Sequence, residues 1–125
     1  MRAGATFQLP RHLEQHLWLV VSDPDADPEH VVMVSVTTVR PGSDLSCVLE
    51  PGDHRFIRHR SCIYYAEAKQ TTLGNLMRLE SEGLLVRHDP MSEPLLRRIR
   101  DNCRETTPIA LRQILIDQKL IDDED

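Results

Sequence analysis

From Val31 to Thr38 the chain reads Val-Val-Met-Val-Ser-Val-Thr-Thr, and every residue but Met33 and Ser35 is β-branched. Branching at Cβ restricts the side chain against a helical turn and suits a pleated strand. Alternation places Ser35 and Thr37 on one face and Val34 and Val36 on the other. Turn formers bound the run: Asp23-Pro24-Asp25-Ala26-Asp27-Pro28 before it and Arg40-Pro41-Gly42-Ser43-Asp44 after it. A second apolar run, Leu17 to Ser22, precedes it, and Cys47-Val48-Leu49, ended by Pro51-Gly52, follows. No helical pattern separates these runs, so they predict a meander of antiparallel strands and argue against a doubly wound α/β sheet. Cys62 to Ala66 resumes strand character and can run to Lys69.

The pattern then changes period. Leu73, Leu76, Met77 and Leu84 fit a short amphipathic helix closed by Gly83, with a strand feasible from Leu84 to Arg87. Ser92 is placed to cap a helix that tolerates Pro94 in its first turn and buries Leu95, Leu96, Ile99 and Cys103. Thr107-Pro108 repeats the start signal for a helix carrying Ile109, Leu111, Ile114 and Leu115 and ending near Leu120. The expected architecture is α+β, mainly β: a small twisted sheet or partly open antiparallel barrel with C-terminal helices at one side.

With 125 residues the chain supports one core, expected as a single domain over 1–121 with an acidic tail at 122–125. No apolar run is long enough to span a bilayer, and the N-terminus lacks the apolar core of a secretory signal, so the expected location is the cytoplasm. Three widely spaced cysteines, Cys47, Cys62 and Cys103, are expected as reduced thiols. The net charge of −5 argues against non-specific coating of nucleic acid. That excess is local, however: through residue 116 there are 15 acids against 14 bases. A confined anion site remains compatible with the balance.

Three groupings could carry chemistry. Cys47, His54, His59 and Cys62 offer the ligand types zinc prefers, but not the close pairing usual for structural zinc, and buried strand thiols commonly fill a core. Arg55, Arg58 and Arg60 lie beside His54 and His59; arginine grips phosphate through paired donors and histidine exchanges protons near neutral pH. The same loop can also be a solvated surface or the dock for an acidic protein. Thr37 and Thr38 place two hydroxyls at a strand end, where they could bind phosphate, although threonine is also a plain β-former. No glycine-rich phosphate loop, nucleophile elbow or paired-carboxylate pattern is present.

The succession His16-Leu17-Trp18-Leu19-Val20-Val21-Ser22, Val32-Met33-Val34-Ser35-Val36-Thr37-Thr38 and Ser61-Cys62-Ile63-Tyr64-Tyr65-Ala66-Glu67-Ala68-Lys69 resembles the PemK/MazF family of bacterial toxin-antitoxin systems. The likeness runs from residue 16 to about 104 and includes the helix after Ser92. It implies an SH3-like barrel, a homodimer, an antitoxin partner, and cofactor- and metal-independent cleavage of single-stranded RNA by 2′-hydroxyl attack. In that family an Arg before the first apolar strand and a Thr at the end of the next form the catalytic pair. Thr37 falls on the Thr position, and His16 takes the place of the Arg, with Arg11 and His12 nearby. Glu67 and Lys69 stand where the family has Gln and Arg. The implied catalytic set is thus His16, Thr37 and Lys69, with Thr38, Arg55, Arg58, Arg60 and Glu67 contacting RNA. A rival expectation is a non-catalytic module on the same barrel, whose basic loop docks a protein or nucleic acid.

Overall fold

The eight-residue run forms β3 (Val31–Thr38), which has partners on both sides: β2 (Leu17–Val20) and β5 (Ser61–Thr71). The computed structural model describes residues 1–10, 16–103 and 106–122, so Arg11, His12 and nearly all of the expected acidic tail lie outside the described residues. β1 (Thr6–Gln8), β4 (Val48–Leu49) and β6 (Val86–His88) complete an antiparallel sheet in the order β4-β5-β3-β2-β1-β6. The sheet curls into a half-barrel accompanied by three helices, the α+β, mainly β architecture read from the sequence.

Two apolar clusters explain why β3 is central. Leu19, Val32, Val34, Val36, Ile63 and Tyr65 face α2 (Glu93–Asp101) and α3 (Ile109–Asp117) through Leu95, Ile99, Leu111 and Leu115. On the opposite face Phe7, Trp18, Val20, Val31 and Met33 pack with Leu85 and with Leu76 of α1 (Leu73–Ser81). The alternation of Ser35 and Val34 therefore separates two covered faces, and Ser35 is buried as well.

The helix signals act locally. Ser92 accepts from the Leu95 amide as the α2 cap, and Gly83 takes a φ of +74° just past α1. A left-handed residue costs a glycine little, since it has no Cβ to clash. The α3 start departs from expectation: its cap is Pro108. The Thr107 hydroxyl instead lies 3.1 Å from Cys103 Sγ, both buried, and ties the α2–α3 connection to the core.

Two further differences matter. β1 was not evident in the sequence, because three residues are too few to show a period; its pairing with β2 and β6 defines it. β5 is also irregular: between the Met33–Lys69 and Ser35–Tyr64 pairs, two steps along β3 oppose five along β5. The extra residues bend the strand. Tyr65 at this bend is fully buried, and its hydroxyl donates to the Ile99 carbonyl of α2 at 2.6 Å. Among the described residues no helix is long and apolar enough to cross a membrane.

Candidate anion-binding cleft

Register places the first two candidate residues together. Leu17 pairs with Val36, so one antiparallel step outward brings His16 alongside Thr37. Both line a cleft of about 960 Å³ at this end of the sheet. Thr37 is half-buried, with its Oγ1 3.6 Å from Cys62 Sγ on the neighbouring strand, and Thr38 borders the cleft from an exposed position.

The opposite wall is the β4–β5 connection. His54 is its peg: Nε2 donates to the Asp89 carbonyl at 2.5 Å, and Nδ1 accepts from the Phe56 amide at 3.0 Å. This pairing requires the neutral Nε2–H tautomer and occupies both ring nitrogens. Arg55 reaches the Asp89 carboxylate at 3.1 Å. Asp89 directly follows β6, so the connection joins the two free edges of the half-barrel. Ile57 is buried beneath it.

The cleft is strongly cationic for an acidic chain. Among the described residues Arg40, Arg55, Arg58 and Arg87 line it with His16, His54, His59 and His88, against a single carboxylate, that of Asp89. Arg87 is held by Glu80 through two contacts of 2.5 and 2.9 Å. The side chains of Arg40 and Arg58 have no carboxylate partner among the described residues. Unpaired guanidinium groups in a partly enclosed cleft can bind an oxyanion without first breaking an ion pair.

Of the expected site residues, His16, Thr37, Thr38, Arg55 and Arg58 are brought together here. Arg60, Glu67 and Lys69 are not among the lining residues. Arg60 pairs with Glu50 at 3.2 Å and Lys69 with Glu67 at 3.7 Å. Lys69 sits opposite Met33, four strand positions from Thr37, which is roughly 13 Å at the usual strand rise. Nor do Cys47, His54, His59 and Cys62 gather. Both thiols are buried, His54 is bonded to Asp89, and among the described residues no group of three His, Cys, Asp or Glu is placed to hold a metal ion. Burial pushes the Cys47 thiol above its ordinary pKa, which suits a core-filling residue.

Sequence reading missed Arg40, Arg87, His88 and Asp89 as site residues. Arg40 stood in plain sight two residues beyond Thr38, at the end of the strand that carries the hydroxyls. The other three reach the cleft only through the β1–β6 pairing, which had no local signal.

Fold and cleft together define a small, mainly β protein with a cationic pocket at one end of an open sheet. Comparison with protein families, with curated proteins and with solved structures gives no match.

Proposed function

We propose that this protein is a cytoplasmic endoribonuclease of the PemK/MazF type, cleaving single-stranded RNA in the cationic cleft without a metal. The observation that carries the reading is the convergence of His16 and Thr37 with the unpaired Arg40 and Arg58. In the reaction the RNA 2′-hydroxyl loses its proton and attacks the adjacent phosphorus. The bond from phosphorus to the 5′ oxygen breaks, and that oxygen takes a proton. The products are a 2′,3′-cyclic phosphate and a 5′-hydroxyl end.

His16 serves as one proton-transfer group, and His59, exposed on the facing wall, is the candidate for the other. Thr37 donates from Oγ1 to a non-bridging phosphate oxygen. Arg40 and Arg58 stabilise the charge that builds on the phosphoryl oxygens and take the place of Lys69 in the implied catalytic set. The same likeness makes a homodimer and an antitoxin partner part of the proposal. The rival reading, a binding module that holds RNA without cleaving it, draws support from the distance of Lys69 and from the structural engagement of His54.

The deciding experiment incubates the protein with single-stranded RNA of mixed sequence, with and without a chelator, beside Thr37→Ala and His16→Ala. Chelator-resistant cleavage lost in both variants supports the nuclease. Binding without cleavage by folded wild-type protein establishes the binding module instead, and cleavage unaffected by either substitution places the chemistry elsewhere.

A further inference from the structure

The cleft holds more than a phosphate requires. At about 960 Å³ it lies at the upper end of the volumes typical of small-molecule sites. Its wall includes an aromatic side chain that the electrostatic argument leaves unused. Phe56 is 36% exposed, and its ring meets that of His88 with centroids 5.1 Å apart and planes tilted by 50°. Exposing a phenyl ring among arginines forgoes the gain of burying it, so its position calls for an apolar partner.

The backbone that carries the ring is also held firmly. The Phe56 amide is bonded to His54 Nδ1, the next residue, Ile57, is buried, and its amide donates to the His54 carbonyl. His88 is fixed in turn by a 2.8 Å bond between its Nε2 and Gln8 Oε1. An ordered aromatic face flanked by cations is the arrangement that binds single-stranded nucleic acid: phosphates lie on the guanidinium groups, and a base stacks on the ring. Stacking demands an unpaired base, because a base within a duplex has both faces covered.

We infer that Phe56, backed by His88, is the stacking platform for one unpaired nucleobase beside the phosphate held by Arg58 and Arg40. The inference rests on the proposed RNA substrate but not on cleavage. It adds a base-contacting element to a cleft otherwise described by charge, and it makes the ligand a nucleotide segment and not an isolated phosphate.

The test measures equilibrium binding of two short single-stranded RNAs, made uncleavable by 2′-methoxy groups and identical except that one is abasic throughout. Wild type, Phe56→Ala, Phe56→Leu and Arg58→Gln are compared, with thermal unfolding to verify each fold. The platform predicts that Phe56→Ala and Phe56→Leu weaken binding of the base-bearing strand about ten- to a hundredfold and leave the abasic strand unchanged. Arg58→Gln should weaken both strands alike. Equal losses on both strands in the Phe56 variants, or no loss on either, overturn the platform. Failure of wild type to bind the base-bearing strand overturns the RNA reading and the platform together. Binding with the predicted Phe56 dependence but without cleavage of natural RNA removes the nuclease and leaves the platform standing.

Discussion

The unpaired arginines allow a quantitative test by salt. Each phosphate neutralised on a single strand releases condensed counterions and adds about −0.7 to the slope of log affinity against log salt. Arg40 and Arg58 need break no ion pair, so they set a minimum slope of about −1.4. Arg55 and Arg87 can contribute as much again if RNA draws them from Asp89 and Glu80, which takes the slope towards about −2.8. Arg55 should yield first: its side chain is 87% exposed, and exposed pairs contribute little. The double variant Arg40→Gln/Arg58→Gln should therefore lose about 1.4 from the wild-type slope. Between roughly 50 and 200 mM salt, wild-type affinity should fall about sevenfold more than that of the variant. Fluorescence anisotropy with a labelled single strand reads this directly. Neither residue has an ion-pair partner among the described residues, so stability should change by less than about 0.5 kcal/mol. Arg60→Gln/Lys69→Gln is the control, since neither residue lines the cleft. An unchanged slope in the first pair, or an equal change in the control, would refute the cleft as the phosphate site.

Tyr65→Phe leaves the Ile99 carbonyl buried without its donor and should destabilise the fold by about 1 to 3 kcal/mol, measured as a shift in urea midpoint. Lys119 adopts a φ of +60° at the end of α3, so Lys119→Gly should raise stability by up to about 1 kcal/mol in the same assay. Asp53 is held below the ordinary carboxylate pKa, first by the Glu50 amide and then by Arg98. Its contribution is fully present above the unfolded value near 3.9 and is lost as pH falls through the lower folded value. Asp53→Asn should accordingly destabilise at pH 6 and have a smaller effect near pH 3. Cys47, Cys62 and Cys103 are buried, and a thiol reagent should modify them at the rate of opening of the fold; rapid labelling of native protein would contradict their placement.

The parts of this fold that showed in the sequence are those in which local preference and tertiary packing agree. β3 is branched at nearly every position and ends in turn formers, so it announces itself. α2 has both a capping serine and an apolar stripe. What stayed hidden depends on distant partners. β1 has three residues and is defined by its pairing with β2 and β6; a strand from Leu84 to Arg87 was legible and became β6, Val86–His88, but its partner was not. The bend in β5 answers to the burial of Tyr65 against α2, and neither event leaves a local period. The site follows the same rule. The basic loop was visible as a cluster of arginines and histidines, and Thr37 as a strand terminus. Lys69 looked equivalent by its place in the chain, but the β5 register sets it opposite Met33, towards the other end of β3.

The β4–β5 connection links the architecture to the chemistry. A six-stranded sheet that stops short of closing leaves two edges, β4 and β6, with backbone groups to satisfy. His54 and Arg55 reach across to Asp89 beyond β6, and Thr6 Oγ1 donates to the same Asp89 carbonyl at 2.6 Å. The connection spans this gap without forming a strand there, and it leaves the space between itself and the ends of β2 and β3 open as the cleft. Because the closing element carries Arg55, Arg58 and His59, the void receives positive charge as a consequence of how the sheet is joined. A net charge of −5 is no obstacle to such a site. Screening at physiological salt confines charge effects to about 8 Å, so a phosphate in the cleft responds to the guanidinium groups around it far more than to acids elsewhere on the chain.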